Sequence, residues 1–232
     1  MPKHRIQLVA AATKSPPETI TDYVTGADAA LLKTPGPVPA ASTLKKITSA
    51  TPDIPWGIWL EEVSQDEFKK VLKSGCDFVV FPAGADVVSS PDDNVGMIIQ
   101  VDTSIAEGPL RTVNDLPIDA VLVTPQPEKD GHFTWHQLMV LQRFAGIITT
   151  PMLVSIPSGI GDDELQLLQD AGIDGAVIDT GPDQPPGEVN RLRQVIDSLK
   201  TTHKHQKMDA LLPHTDQNAE TVAEIEEGDE DD

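Results

Sequence analysis

Four charged side chains follow apolar runs that have the length of buried strands. Glu61, Asp102 and Asp179 come at or just past the end of such runs, and Lys33 ends another. Carboxylate oxygens suit Mg²⁺, so Glu61 and Asp102 are candidate metal ligands, and all three acids are candidate catalytic acid–base groups. Lys33 is a candidate catalytic residue that orients an anionic group or transfers a proton, since burial lowers the pKa of a lysine. The alternative is that these residues form ion pairs at a rim or face water.

A second candidate site is the glycine-rich segment 158–161, which precedes a predicted helix. Backbone amides of such a segment, together with the helix N-terminus, bind phosphate. The acids at 162–164 follow directly and repel a dianion, so an intact phosphate site and a modified or lost one both remain open. The candidate substrate-binding residues are Ser158, Gly159 and Gly161, with Thr180 and Gly181 at the end of a later apolar run.

Other residue types that carry chemistry have ordinary explanations. His132 and His136 are four residues apart, as two metal ligands on one helix can be, but no glutamate lies between them as in a zinc protease. We interpret both histidines as loop and surface residues. The tryptophans are interpreted as packing residues, with Trp59 as the exception if it lies near Glu61; they are Trp56, Trp59 and Trp135. The sequence contains no Walker loop, no G-x-G-x-x-G and no G-x-S-x-G.

A seven-residue motif occurs four times in the sequence and marks the elements that must hold these side chains. Each copy consists of a residue that ends a helix, an aspartate in a turn and an apolar run. Glycine ends a helix in the left-handed conformation, the aspartate is expected to bond the backbone of its own turn, and the apolar run suits a parallel strand that is covered on both faces. The copies are Gly26–Leu32, Gly75–Phe81, Pro117–Val123 (with proline in place of the glycine) and Gly172–Ile178. Their spacing fits one β-α-β-α quarter of a barrel per copy.

Four further apolar runs lie between the repeated ones, which gives eight strands in alternation with helices. The clearest helix begins at Ser64, which forms a capping box with Glu67, and Ser42 is the expected cap of an earlier helix. The segment 82–94 is too short and too rich in Pro, Asp and Ser for a normal helix. We therefore predict a closed (β/α)8 barrel, rather than an open doubly wound sheet, with an abbreviated or missing fourth helix.

Residues 151–179 carry a family resemblance. The stretch 151–160, a helix, and then residues 168–179 (LQDAGIDGAVID) resemble the end of aldolase-type and ribulose-phosphate-binding TIM barrels. The rhythm of strands and helices extends this resemblance over residues 1–200. It implies the fold and a site at the C-terminal ends of the strands. No catalytic signature of a single family matches. Thr124 stands on strand six, where Schiff-base aldolases usually present lysine.

Composition and charge bound the partners. The formal net charge is −20, and residues 216–232 hold nine of the 37 acids and no base. This balance disfavours nucleic acid and anionic membranes as partners, and the acidic tail is a candidate docking segment for a basic partner.

We predict a barrel domain at 1–200, a linker at 201–215 and a disordered acidic tail at 216–232. Ile6–Ala12 is interpreted as strand one rather than as a signal peptide, Cys76 as a core residue, and the protein as cytoplasmic.

Two functions fit these observations. The first is a lyase or isomerase that acts on a small anionic metabolite, phosphorylated or carboxylated, with catalysis by Lys33, Glu61, Asp102 and Asp179 and with Mg²⁺ as the candidate cofactor. The second is a barrel that has lost catalysis and serves as a binding or assembly component. The absence of a family signature, the short fourth unit and the acidic tail favour the second. A homo-oligomer is compatible with either.

Overall fold

The computed structural model describes residues 5–13, 19–33, 36, 38–51, 54–61, 64–87, 94–126, 132–185 and 187–200. Eight parallel strands pair in chain order, and β8 pairs with β1, so the sheet closes into a barrel. The strands are β1 Gln7–Thr13, β2 Ala29–Lys33, β3 Trp56–Trp59, β4 Phe78–Pro82, β5 Gly96–Asp102, β6 Ala120–Thr124, β7 Met152–Ile156 and β8 Gly175–Thr180. The predicted (β/α)8 barrel is confirmed.

Seven α-helices occur in the described part of the chain. They are α1 Ile20–Val24, α2 Ala41–Ala50, α3 Gln65–Leu72, α4 Glu107–Thr112 (followed by a 3₁₀ turn, Val113–Asp115), α5 Trp135–Ala145, α6 Asp162–Asp170 and α7 Glu188–Ser198. The described residues between β4 and β5, 83–87 and 94–95, contain no helix, which agrees with the expected short fourth unit. The predicted linker and acidic tail lie outside the described residues and stay predictions. None of the described helices has both the length and the hydropathy to span a membrane.

The caps of the helices follow local sequence in some places only. Ser64 accepts a hydrogen bond from the Glu67 backbone, and the reciprocal bond completes the predicted capping box of α3. Helix α5 has a second capping box, built by Thr134 and Gln137. The expected cap of α2 was wrong, because the helix begins one residue before Ser42 and its N-cap is Ala40, which offers no side-chain bond.

Side chains alternate between two packed layers, as a closed parallel sheet requires. One set points outward and packs against the helices. The other fills the barrel interior, and its buried members are Val9, Ala11, Leu31, Trp59, Val80, Leu122 and Val177. Cys76 is buried, and this burial raises the pKa of its thiol, so the expectation of a core cysteine is confirmed. Trp56 and Trp59 are also buried, but Trp135 is 74% exposed, so its assignment to packing was wrong.

The aspartate of each repeated motif forms hydrogen bonds that join two neighbouring strands. The Asp174 amide donates to the Met152 carbonyl at 2.8 Å, and the Asp174 carboxylate accepts from the Met152 amide at 2.8 Å. The same paired bonds join Asp28 to Leu8, Asp77 to Trp56 and Asp119 to Met97. We call each pair of bonds an aspartate clamp. The carboxylates bond the preceding strand, where the sequence had predicted bonds within their own turns. The three glycines of the repeated motif, Gly26, Gly75 and Gly172, adopt the expected positive φ.

Candidate active site at the C-terminal ends of the strands

A pocket of about 550 Å³ opens where the strands end. This is the end of the barrel at which barrel enzymes of known mechanism hold their substrates. Its wall combines charged, aromatic and polar side chains from at least six strands. The lining residues are Lys33, Trp59, Glu61, Pro82, Gln100, Thr124, Pro125, Gln126, His132, Phe133, Gln137, Ser155, Ile156, Pro157 and Asp179.

Strand alternation explains why these side chains meet. Lys33 comes two residues after Leu31, and Asp179 two residues after Val177, so each has the inward direction of its apolar neighbour. Gln100 follows Ile98 in the same way on β5. The apolar interior layer therefore lies directly below the pocket, and the polar layer above it forms the wall.

Lys33 is the centre of the charged cluster. Its Nζ lies 3.5 Å from the nearer carboxylate oxygen of Asp179 and 4.5 Å from the centroid of the Trp59 ring. A cation over the face of tryptophan is attracted by the ring quadrupole. The Lys33 side chain is 25% exposed and that of Asp179 is 45% exposed. Both groups are thus held in place and remain accessible to a ligand.

A hydrogen-bonded chain orients the floor of the pocket. The Trp59 indole N–H donates to Gln100 at 3.1 Å, and the Gln100 amide donates to the Thr124 hydroxyl at 3.2 Å. These bonds connect β3, β5 and β6 and fix the orientation of the Gln100 side-chain amide. Gln100 was not predicted as a site residue, although its position two residues after Ile98 carried the signal.

The other two predicted acids are placed differently. Glu61 lines the pocket and is exposed. Asp102 is not among the lining residues; it accepts hydrogen bonds from the backbone amide and the hydroxyl of Ser104, and these bonds lower the pKa of its carboxyl. The described residues contain no group of three or more His, Cys, Asp or Glu that is arranged to hold a metal ion. Geometry therefore adds no support to Mg²⁺ at Glu61 and Asp102.

The glycine-rich segment after β7 has its own internal partners. The Gly159 amide donates to Glu188 at 3.0 Å, and the Gly161 amide donates to Glu164 at 2.7 Å. Ser158 and Gly159 are exposed, and neither they nor Gly161 line the large pocket. The backbone amides of Gly159 and Gly161 are thus already engaged by carboxylates of the same chain.

The segment after β8 borders a smaller cavity of about 230 Å³. Thr180 and Gly181 line this cavity together with Lys33 and Asp179. Thr180 is buried, and Gly181 has a φ of +152°. These two predicted residues therefore lie beside the charged cluster and outside the large pocket.

The loop before α5 completes the rim of the large pocket. Glu164 accepts the Phe133 amide at 2.7 Å, and one of its oxygens lies 3.5 Å from Nδ1 of His132. Burial by itself raises the pKa of Glu164, but the amides of Gly161 and Phe133 outweigh it and the pKa is lowered. His132 is an exposed loop residue, as expected, but it also lines the pocket; His136 is exposed on α5. Glu164 thereby ties the loop after β6 to the loop after β7.

The barrel resembles solved enzyme structures. A thiamine phosphate pyrophosphorylase from Pyrococcus furiosus superposes with a TM-score of 0.61 at 15% sequence identity, over 84% of this chain and 97% of that one. A mutant tryptophan synthase alpha-subunit from Pyrococcus furiosus gives a TM-score of 0.62 at 12% identity, over 84% and 98%. No protein-family model and no curated protein sequence matches the chain. At 15% identity or less, the likeness shows the fold alone, so the predicted resemblance is confirmed for the closed barrel fold.

Proposed function

We propose that this protein is an aldolase-type barrel enzyme, a lyase or isomerase that acts on a small anionic metabolite in the pocket at the strand ends. The observation that carries the proposal is the position of Lys33, held between Asp179 and the Trp59 ring and accessible from the pocket. A cation beside a carboxylate, above an apolar floor, suits proton transfer next to a carbonyl or carboxylate group.

The reaction class follows from the roles that these residues can take. The anionic group of the substrate binds the Lys33 ammonium, and Asp179 or Glu61 removes a proton from the neighbouring carbon. The electron pair of the broken C–H bond moves towards the substrate oxygens, where Lys33 stabilises the developing negative charge. Where a C=C bond adjoins the carbon that lost its proton, return of the proton to the far carbon of that bond, with a shift of the double bond, gives isomerisation. Loss of a leaving group from the next carbon, with the electron pair of its bond, gives a lyase.

The rest of the wall orients the substrate. Gln100 has its amide fixed by Trp59 and Thr124, and the buried Trp59 keeps the floor of the pocket apolar. Fixed polar groups reduce the reorganisation that accompanies charge development. These residues therefore act by orientation, while Lys33, Asp179 and Glu61 carry the charge.

Thermal stabilisation of the full-length protein tests binding. A ligand that binds only the folded state raises the melting temperature, so we expect pyruvate, malonate or succinate to raise it. The shift should vanish in Lys33→Met and persist in Lys69→Met, which removes an exposed lysine on α3 outside the pocket. Equal shifts in both variants would place the ligand elsewhere, and no shift with any carboxylate would remove the support for an anion site.

The second candidate function is a binding barrel without catalysis. The amides of Gly159 and Gly161 after β7, which are engaged by carboxylates of the same chain, favour it. Solvent exchange separates the two functions. In D₂O an enzyme that abstracts a carbon-bound proton incorporates deuterium into its ligand, which NMR detects, and Asp179→Asn should slow this exchange at unchanged binding. Binding without exchange in the unmodified protein would favour the second function.

A further inference from the structure

The segment after β7 holds a negative charge where a phosphate-binding barrel needs positive potential. Gly159 and Gly161 point their amides at Glu188 and Glu164, at 3.0 Å and 2.7 Å. A phosphate that bound these amides would have to displace both carboxylates. The first turn of α6 adds Asp162 and Asp163 to the same end of the helix, and they repel a dianion further.

Glu188 is fixed in this position by a second contact. Arg191 donates to both of its oxygens, at 2.7 Å and 2.9 Å, and also to the Ile160 carbonyl at 2.8 Å. The guanidinium bonds keep the pKa of Glu188 below its usual value despite partial burial. The Glu188 side chain is only 12% exposed. The carboxylate is therefore ionised and held at neutral pH, and Arg191 is itself occupied.

The segment after β8 offers few backbone donors for an independent reason. Three of the residues between Gly181 and Gly187 are prolines, which have no backbone N–H; they are Pro182, Pro185 and Pro186. Asp183 adds a negative charge between them. Phosphate-binding barrels use amides from the segments after both β7 and β8. Here the Gly159 and Gly161 amides of the first segment are engaged, and the second segment has few amides.

We propose that Glu164 and Glu188 are specificity-determining residues that exclude phosphate, so that the ligand of this barrel is a carboxylated metabolite without a phosphate group. This inference rests on the proposed function for the ligand that Lys33 binds. It narrows that function to one substrate class. The anionic group then binds at Lys33, while the amides beyond β7 serve the chain itself.

The experiment compares phosphate binding by the full-length protein and two variants. Inorganic phosphate is titrated by calorimetry, and the backbone amides of Gly159 and Gly161 are followed by NMR. The unmodified protein should show no saturable binding and no shift of these amides. Glu188→Ala frees the Gly159 amide and Arg191, so phosphate affinity should rise at least about tenfold. Glu188→Gln removes the charge but keeps a side-chain oxygen that accepts from Gly159, so its phosphate affinity should rise less than that of Glu188→Ala.

Each outcome decides the proposal. Saturable phosphate binding by the unmodified protein with shifts at Gly159 and Gly161 overturns it, and so does a folded Glu188→Ala variant that gains no phosphate affinity. If that variant does not fold, the NMR titration of the unmodified protein decides alone. The test is independent of the proposed function: a protein that binds neither phosphate nor carboxylate contradicts the carboxylate site and leaves the exclusion of phosphate standing.

Discussion

The ammonium of Lys33 lies 4.5 Å above the ring of Trp59, so the positive charge in the pocket interacts directly with the aromatic ring that forms its floor. A ligand that pairs with Lys33 moves or neutralises this charge. We therefore expect carboxylate binding to change the fluorescence of Trp59. The change should be absent in Trp59→Phe, which leaves Trp56 and Trp135 as reporters elsewhere. A signal of the same size in that variant would show that the emission change does not come from the pocket.

The Trp59 side chain also fixes Gln100, and this bond makes a separate prediction. Gln100→Leu removes the acceptor of the buried indole N–H and the donor to Thr124. A buried donor without an acceptor costs about 1–3 kcal/mol, so chemical denaturation should show a loss of that size and the carboxylate affinity should fall. Gln100→Glu keeps an acceptor for the indole and should recover most of the stability. A Leu variant as stable as the unmodified protein would contradict the role of this bond.

The aspartate clamps should contribute to stability through the strand amides that they satisfy. Asp174→Ala leaves the Met152 amide without its carboxylate partner, and we expect a loss of about 1–3 kcal/mol in the free energy of unfolding. Asp174→Asn retains an oxygen at the same place and should lose less. Urea denaturation of the two variants measures the difference, and equal losses would show that charge rather than the hydrogen bond matters.

Acid should weaken the contact of Glu188 with Arg191 and Gly159. The pKa of Glu188 is below its usual value of 4.5, mainly because Arg191 donates to it. The folded state therefore stabilises the ionised Glu188 carboxylate more than the unfolded state does. This contribution to the free energy of unfolding is present above about pH 4.5 and is lost as the pH falls through the folded-state pKa. Denaturation between pH 6 and pH 3 should show a smaller loss in Glu188→Gln than in the unmodified protein. Equal slopes would mean that Glu188 gains nothing from its ionised contacts.

The loss of stability on replacing a tryptophan should depend on how deeply its side chain is buried. Trp56 is 2% exposed and Trp135 is 74% exposed. Replacing a buried large side chain by alanine costs about 3–5 kcal/mol, whereas an exposed site usually changes stability by less than about 0.5 kcal/mol. Trp56→Ala should therefore unfold at much lower urea than Trp135→Ala. A large loss for Trp135→Ala would indicate that this surface is covered in solution.

The barrel could be predicted from two regularities of the sequence, the alternation of side chains along a strand and the motif that occurs four times. The inward direction of Lys33 and Asp179 follows from their spacing to Leu31 and Val177, and both residues lie at the strand ends. Asp102 has the same spacing to Gln100, but it is the last residue of β5 and its carboxylate bonds Ser104. Strand alternation gives the side of a residue, and it gives no information on a local bond that turns the group away.

Long-range partners could not be predicted from the sequence. The clamp between Asp174 and Met152 joins residues 22 positions apart, and the contact between Gly159 and Glu188 joins residues 29 positions apart. Local rules for aspartate and glycine predict bonds within a turn and free amides. Tertiary structure brought a competing partner to each group. The wrong assignment of Trp135 has a different origin, because residue type alone predicted packing, whereas Trp135 lies exposed in the first turn of α5.

The aspartate clamps also set an order of folding. Each joins residues 20 to 22 positions apart within one strand pair, β1 with β2, β3 with β4, β5 with β6 and β7 with β8. The contact that closes the barrel joins Gln7 to Gly175 and spans nearly the whole described chain. Because the entropy lost on closing a loop grows with its length, the four clamped pairs are expected to form first as local units. Barrel closure, and with it the meeting of Lys33 from β2 and Asp179 from β8, then comes last.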